Sequence, residues 1–372
     1  MKKKLGYIVF AVFFTIFRIW PIQKNKVFLV ATHDDSEEGN VGIVAEEIRK
    51  KIPGKKMVFL TRRDGIRHPF TFFFEKAFHM ATAGTIFLDN HFMPMAYTPI
   101  SKKVDVVQLW HGTGTIKKFG LDAEDEEVAR LAQKANNRTT HLIVGSDRTK
   151  RQYQSAFGIP EERIYVLGLP RTDRILDDDW MEKRRCLFFQ RYPYLEDKRR
   201  ILYAPTFRDE ESEHPKIALN LGKVAEKLAE DEVLLLRLHP HVEKNADWSI
   251  LDECGGKICN VSDYPGVATL LAVADMLITD YSSIIFEYCL CRKPMCFYAY
   301  DLEHFRSHGR GFYEDYETFV PGPVVRTQEE LMEFIAGREY NLEKIDSFCR
   351  GNFSFHDKKA VERLLHLIFL QR

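Results

Sequence analysis

Residues Ile278-Thr279-Asp280-Tyr281-Ser282-Ser283, followed by Ile284-Ile285-Phe286-Glu287-Tyr288, are the most informative part of the sequence about the fold. It is typical of the end of a buried strand, a polar corner and the first turn of a helix. Residues 268–278 are almost entirely apolar, as in a parallel strand covered on both faces. Ser282 or Ser283 would cap the helix, and N–H groups at such a corner favour phosphate. A capped helix that binds nothing is the simpler interpretation of the corner alone.

Strand and helix patterns alternate on both sides of this corner, which indicates α/β architecture with doubly wound parallel sheets. The predicted strands are residues 26–31, 56–60, 85–89, 104–110, 140–144 and 164–167 in the first half, and 201–204, 233–238, 258–261 and 294–300 in the second. The principal predicted helices cover residues 39–51, 217–230, 265–274, 329–336 and 358–369.

A length of 372 residues suggests about two domains. We expect an apolar segment over residues 1–20, a Rossmann-like first domain over 21–190 and a second over 191–355. The boundary is placed in the polar, basic stretch 176–200. Residues 356–372 hold an amphipathic helix that could pack back on the first domain.

Residues 5–20 are nearly all apolar and follow three lysines. As a helix they would reach about 24 Å, which is short of the roughly 30 Å hydrocarbon core of a bilayer. Arg18 and Trp20 at the far end favour an element that associates with an anionic membrane surface. A buried helix of the first domain is the alternative. A signal peptide is disfavoured because no small-residue cleavage site follows.

The composition gives little further information about function. Lys plus Arg and Asp plus Glu both number 54, so the net charge of zero gives no argument for nucleic acid as a partner. Seven scattered cysteines without metal-type spacing fit a reducing cytoplasm. The acidic runs Asp34-Asp35 and Asp177-Asp178-Asp179 could bind a metal, although such loop runs are usually solvated. No spacing requires a metal.

Polar side chains follow most of the predicted strands, and ligands of open parallel sheets bind outside the carboxyl ends of the strands. These groups recur in both halves of the chain: Thr32-His33-Asp34, His111-Gly112-Thr113, Pro205-Thr206-Phe207-Arg208-Asp209, Arg237-Leu238-His239-Pro240-His241, Thr279-Asp280-Tyr281-Ser282-Ser283 and Asp301.

Two histidines are the candidate catalytic residues. His111 follows an apolar strand, and a neutral histidine in a cleft can take a proton from a hydroxyl. Gly112 beside it would let the backbone approach a ligand. His239 and Arg237 together suit an anionic phosphate and its leaving group. A hydrogen-bonded core histidine and a structural turn are the respective alternatives.

Six motifs, in the same order, resemble the CDP-glycerol glycerophosphotransferases of wall teichoic acid synthesis over residues 26–357. They are Trp110-His111-Gly112-Thr113, Gly168-Leu169-Pro170-Arg171-Thr172-Asp173, Tyr203-Ala204-Pro205-Thr206-Phe207-Arg208, Arg237-Leu238-His239-Pro240, Thr279-Asp280-Tyr281-Ser282-Ser283 and Gly311-Phe312-Tyr313-Glu314-Asp315-Tyr316-Glu317.

The resemblance implies a GT-B fold, in which two Rossmann-like domains face each other across a cleft. It implies transfer of glycerol phosphate from CDP-glycerol, with release of CMP, at the cytoplasmic face of the cell membrane by a peripheral or monotopic protein. The short apolar segment before the catalytic pair points to the primase kind, whose acceptor is an undecaprenyl-diphosphate-linked ManNAc–GlcNAc disaccharide. CDP-glycerol is then the donor substrate, no cofactor is required, and dependence on a divalent metal and the oligomeric state stay open.

Carried over by motif, His111 would activate the acceptor hydroxyl and His239 would engage the donor pyrophosphate with Arg237. Thr206, Ser282 and Ser283 would bind donor phosphate. The remaining predicted substrate-binding residues are Gly112, Thr113, Arg208 and Asp280.

The alternatives are a teichoic acid or capsule polymerase, a CDP-ribitol or nucleotide-sugar transferase of the same fold, and a non-enzymatic membrane scaffold. The presence of His111 and His239 argues against the scaffold.

Overall fold

The computed structural model describes residues 2–208, 216–338 and 340–371. Met1 of the apolar segment and Asp209 of the strand-end motif lie outside them. The strands are β1 Gln23–Ala31, β2 Lys56–Thr61, β3 Ala83–Leu88, β4 Asp105–Gln108, β5 His141–Val144, β6 Ile164–Val166, β7 Arg199–Tyr203, β8 Glu232–Leu236, β9 Ile258–Asn260, β10 Met276–Thr279, β11 Met295–Tyr298 and β12 Val324–Val325.

The α-helices surround two sheets. They are α1 Lys2–Phe17, α2 Asn40–Lys51, α3 Arg62–Arg67, α4 Ala77–Ala81, α5 Glu126–Asn136, α6 Asp147–Phe157, α7 Pro170–Ile175, α8 Asp178–Arg191, α9 Leu221–Lys227, α10 Pro240–Asn245, α11 Ile250–Glu253, α12 Val267–Val273, α13 Ile284–Tyr288, α14 Leu302–His308, α15 Tyr316–Phe319, α16 Gln328–Gly337, α17 Leu342–Asn352 and α18 Ala360–Leu365. Short 3₁₀ or π turns include Thr71–Lys76 and His366–Leu370.

The chain forms two compact units. One contains the residues up to Arg174 and those from Asn352 onward, and the other contains Ile175–Gly351. Our sequence-based boundary lay after residue 190. The division falls earlier because α8 packs on the second unit, where Arg185 donates a hydrogen bond to the Ala272 carbonyl at 3.0 Å.

The first unit is built on a six-stranded parallel sheet in the order β2-β1-β3-β4-β5-β6. Both faces are buried, so its strands are nearly continuous apolar runs. Phe28 and Val30 of β1 pack with α1 and α4 on one face. Val27 and Leu29 pack with α2 and α18 on the other. The C-terminal helix is therefore part of the first unit's core.

The second sheet has the order β12-β11-β10-β7-β8-β9 and is also entirely parallel. Its strand order reverses between β7 and β10, the place where open α/β sheets bind ligands. Two parallel, helix-covered sheets confirm the predicted α/β class. The two-residue strand β12 was missed because it is too short to show a periodic pattern.

The structure before the polar corner at residues 279–283 differs from the prediction. The apolar run 268–278 is not one strand: α12 occupies Val267–Val273 and the strand is only Met276–Thr279. A buried helix and a buried strand are both continuously apolar, so hydrophobicity could not separate them.

Helix α1 has apolar residues on both its buried and its exposed face. Phe10, Phe14 and Phe17 are buried in the core of the first unit. Ile8, Val12 and Ile16 are 40, 52 and 51% exposed. The buried-helix interpretation is therefore correct for one face of the segment. Within the described ranges, no helix is both long enough and apolar enough to cross a membrane.

Candidate active site

In the first unit, three strand ends meet where the strand order reverses. Asp89 follows β3, is 2% exposed, and accepts the backbone N–H groups of Thr32, His33 and Asp34 at 2.9, 3.1 and 3.0 Å. Burial raises the pKa of Asp89, although the three N–H groups oppose that change. This carboxyl group holds the loop after β1 against the end of β3.

His111 follows β4, and its hydrogen bond defines its tautomer. Its Nδ1 lies 3.0 Å from the carbonyl oxygen of Asp89. A carbonyl oxygen only accepts, so Nδ1 of the neutral ring holds the proton and Nε2 has the free lone pair. Burial lowers the pKa of His111 to about 3, with further lowering by His33, Arg171 and His91. The ring can therefore accept a proton at Nε2 and is neutral at physiological pH.

Trp110, immediately before His111, has a left-handed backbone with φ of 56°. Such a conformation is uncommon for a bulky residue and persists only where neighbours hold it. Gln108 accepts its N–H at 2.9 Å, and Asn40 donates to its carbonyl at 2.9 Å. Its ring stacks on His111 with centroids 4.1 Å apart. The strained residue thus aims the histidine out of the strand.

Gly112 and Thr113, predicted to bind substrate, are both buried. The Gly112 carbonyl accepts the Tyr153 hydroxyl at 2.7 Å. A Cβ at Gly112 would lie 3.4 Å from three protein atoms, so the space beside this glycine is filled by the protein itself. Tyr153 is brought there by α6, which Ser146 caps and which ends at Gly158, where φ is 59°.

In the second unit, Thr206 and Asp280 meet at the reversal between β7 and β10. Asp280 is 1% exposed, and one of its oxygens accepts the N–H groups of Thr206 and Tyr281 at 2.8 and 2.6 Å. Thr279 donates from its hydroxyl to the Ala204 carbonyl at 2.7 Å. The two strand ends are therefore tied together.

Arg208 is held by two carboxylates. Asp301 makes a bidentate pair with it, at 2.7 and 3.0 Å, and Asp280 lies 2.9 Å away. Its guanidinium also donates to the Thr206 carbonyl at 2.7 Å. Burial lowers the pKa of Arg208, but the two carboxylates outweigh burial and raise it overall. This cation braces the loop, and its contacts within the chain leave little of its charge for a ligand.

His239 begins α10 and has the opposite hydrogen-bonding pattern to His111. Its Nδ1 accepts the backbone N–H of His241 at 3.2 Å. An N–H group only donates, so in the neutral ring the proton is on Nε2, which is a donor. The exposed ring stacks on Phe207 with centroids 4.4 Å apart.

A small cavity of about 20 Å³ lies between these groups in the second unit, lined by residues that include Thr206, Phe207, Lys216, His239, Asp280 and Tyr300. Among the described residues, the Thr206 hydroxyl is buried and has no hydrogen-bond partner. An unpaired buried donor at a cavity marks a place for a ligand atom. The sequence prediction missed Lys216 and Tyr300, which no motif contains. It also missed Phe207 as a stacking surface, although Phe207 lies within a quoted motif.

Three other predicted substrate-binding residues, Arg237, Ser282 and Ser283, are not among the described residues that line this cavity. Ser283 makes no capping hydrogen bond, and Ser282 accepts the Ile284 N–H only at 3.4 Å. Helix α13 has just five residues, so its dipole is weaker than the sequence suggested. Arg237 donates to the Ser262 carbonyl and, at 2.8 Å, to the Tyr264 carbonyl. It holds the loop after β9 beside the strand that ends in His239.

Residues 12–370 match the family described as CDP-glycerol:poly(glycerophosphate) glycerophosphotransferase. The chain is 31% identical to the teichoic acid ribitol-phosphate primase of Bacillus spizizenii, over 99% of this chain and 98% of the relative. It is 31% identical to the teichoic acid glycerol-phosphate primase of Bacillus subtilis, over 78% of this chain and 74% of the relative.

The chain is also 33% identical to the teichoic acid poly(ribitol-phosphate) polymerase of Bacillus spizizenii, over 98% of this chain but only 60% of that protein's length. Among solved structures, the wall teichoic acid polymerase TagF has a TM-score of 0.80 at 22% identity, over 99% of this chain and 96% of the other. A UDP-GlcNAc 2-epimerase from Neisseria meningitidis has a TM-score of 0.57 at 12% identity, over 92% of this chain and 99% of the other. These likenesses confirm the predicted GT-B fold.

Proposed function

The chain belongs to the CDP-glycerol:poly(glycerophosphate) glycerophosphotransferase family, and we propose that it transfers glycerol phosphate from CDP-glycerol to a hydroxyl of a lipid-linked acceptor, releasing CMP. The observation that best supports this reaction is the tautomer of His111. Its Nδ1 is occupied by the Asp89 carbonyl, so its Nε2 is available as a general base.

In the proposed mechanism, the acceptor hydroxyl attacks the glycerol-bearing phosphorus in line with the departing CMP. His111 takes the hydroxyl proton at Nε2. A pKa of about 3 is low for a base, although it keeps the ring neutral. An anionic phosphate bound close to the ring would raise that pKa toward the working pH, since an opposite charge favours the protonated form.

The donor phosphates are assigned to the second unit. His239 can donate from Nε2 to a departing phosphate oxygen, and the unpaired Thr206 hydroxyl offers a second donor. Lys216 adds a positive charge at the same cavity. Ser282, Ser283 and Arg237 stay proposed phosphate contacts, although they are not among the described residues that line this cavity. Arg208 and Asp280 then act by shaping the pocket, because they are already paired with each other.

We assign the primase kind of reaction, in which one glycerol phosphate is added to an undecaprenyl-diphosphate-linked ManNAc–GlcNAc disaccharide. Support comes from the primase that aligns with this chain over 98% of its own length. That relative is named for ribitol phosphate, so transfer of ribitol phosphate from CDP-ribitol is the second candidate.

Mass spectrometry of the products distinguishes transfer of glycerol phosphate from transfer of ribitol phosphate. The purified chain is incubated with a synthetic lipid-linked disaccharide and either CDP-glycerol or CDP-ribitol, and His111→Ala serves as the inactive control. We expect one added glycerol phosphate and stoichiometric CMP. A ladder of products would identify a polymerase, and activity with CDP-ribitol alone would favour the second candidate. No transfer from either donor would overturn the proposed function.

We further place the chain at the cytoplasmic membrane surface, docked through the exposed face of α1. Ile8, Val12 and Ile16 form an apolar stripe on this helix. Phe74, 41% exposed, packs beside the helix against Phe17, and its ring lies 4.9 Å from that of Phe17. Exposed Arg18 at the end of the stripe suits anionic headgroups.

Deleting the segment would remove core residues, so the docking test uses surface substitutions. The triple change Ile8→Ser, Val12→Ser and Ile16→Ser should lower co-sedimentation with anionic vesicles about 10-fold, because apolar side chains no longer enter the bilayer interface. Leu187→Ser with Tyr194→Ser, at exposed positions of the second unit, is the matched control. Equal sedimentation of the triple variant and the wild type would rule out this docking face.

A further inference from the structure

The ring of His33 lies flat on the candidate base. The centroids of His33 and His111 are 3.7 Å apart and the ring planes differ by 10°. His33 is exposed, whereas His111 is half-buried. The mechanism proposed above leaves this second imidazole unused, although it is the aromatic ring closest to His111.

Several contacts fix the backbone of His33. Its N–H and those of its two neighbours donate to the Asp89 carboxylate, while the Asp89 carbonyl accepts from His111. Asp34, the next residue, pairs with Arg171 at 3.4 Å. The Arg171 N–H donates to Asn40, which also holds the Trp110 carbonyl. One closed set of hydrogen bonds and an ion pair therefore positions the backbone of His33 and the imidazole ring of His111.

We propose that His33 is a positioning residue for the transfer reaction, which holds the imidazole of His111 in the orientation that keeps Nε2 available. This inference rests on the proposed role of His111 as the base. His33 covers the ring and limits its rotation away from the Asp89 carbonyl. Stacking at this distance also makes two positive rings mutually repulsive, so protonation of one opposes protonation of the other.

The surrounding charges act in the same direction on His111. Burial is the largest cause of its lowered pKa, followed by His33, then by Arg171 and His91. His33 itself faces Asp89 and Asp34, which favour its protonation, and Arg171 and Arg62, which oppose it. Although the side chain as a whole is exposed, desolvation by the surrounding protein atoms is the largest cause of its lowered pKa. Loss of the His33 ring should therefore raise the pKa of His111. The acidic limb of the profile of rate against pH would then move to higher pH.

The test compares His33→Ala, which removes the ring, with His33→Phe, which keeps a flat ring without a titrating group. His366→Ala is the control, an exposed histidine of the same unit. We expect His33→Ala to lower kcat about 10-fold with little change in the donor KM, and to shift the acidic limb of the rate to higher pH. His33→Phe should retain more of kcat than His33→Ala and shift the limb less.

A second measurement needs no activity. Proton–nitrogen NMR of the histidine side chains, titrated without substrates, reports the tautomer and pKa of His111 directly. We expect the Nδ1–H form in the wild type and a raised pKa in His33→Ala. An unchanged tautomer and pKa in His33→Ala would overturn the positioning role even if the chain is an active transferase. Equal loss of kcat in His33→Phe and His33→Ala would also overturn it, and would make the imidazole a direct substrate contact.

Discussion

The two candidate histidines differ in which nitrogen they offer. His111 donates from Nδ1 to the Asp89 carbonyl and so presents an accepting Nε2, whereas His239 accepts at Nδ1 from the His241 N–H and presents a donating Nε2. Both follow the end of a parallel strand. The backbone group that each ring meets therefore selects its chemistry: a carbonyl produces a base, and an N–H group produces a hydrogen-bond donor.

Their surroundings differ in the same sense. His111 is half-buried against Trp110 and His33, and burial lowers its pKa to about 3. His239 is exposed, on the face of Phe207, at the start of a six-residue helix. The partly desolvated ring of His111 stays unprotonated at neutral pH, so its Nε2 keeps a lone pair. The solvated ring of His239, at the edge of the cavity, can contact a charged phosphate.

Glutamine substitution should separate the two roles most strongly. The amide of Gln can donate a hydrogen bond near the position of Nε2 but cannot take up a proton. We expect His111→Gln to lower kcat about 1,000-fold, as severely as His111→Ala, because a general base is lost. His239→Gln should retain at least about 10-fold more activity than His239→Ala. Steady-state kinetics with CDP-glycerol measure both. Equal losses in His239→Gln and His239→Ala would refute the donor assignment.

The second unit is held by a buried charge cluster, in which Arg208 pairs with Asp280 and Asp301. Arg208→Met should lower the free energy of unfolding by about 3 kcal/mol, because Asp280 and Asp301 are left buried without their cation. Arg130→Met, which breaks an exposed pair with Glu126, should cost less than about 0.5 kcal/mol. Urea denaturation followed by circular dichroism compares them. Equal costs would show that the cluster does not brace the donor site.

The first unit should be the acid-sensitive one. His91 packs beside Trp110, and burial lowers its pKa to about 4. The unfolded chain therefore binds more protons than the folded chain between pH 4 and about 6.5, so stability should fall as the pH is lowered through that window. We expect His91→Leu to flatten the slope by at most about 1.4 kcal/mol per pH unit, the limit for one proton. Denaturation at several pH values tests this, and an unchanged slope would contradict it.

Many of the candidate site residues in each unit were predictable because strand ends are visible in sequence. His111, His239, Thr206 and Asp280 lie at the ends of predicted strands, and each was found at the carboxyl edge of its sheet. Asp89 was counted as the last residue of a strand and its role was missed. Nothing in the local sequence distinguishes a carboxylate that organises a neighbouring loop from one that is merely solvated.

The architecture follows from the hydrophobic pattern of the chain. Continuous apolar runs with helices between them leave parallel, doubly covered sheets as the stable solution, and polar residues then fall at one edge. The order of the strands within each sheet, in contrast, became known only from the folded structure. Because β1 lies beside β3, His33 meets His111, 78 positions later in the chain, and Asp89 reaches both. Tautomers and pKa values depend on such distant partners, which local patterns do not contain.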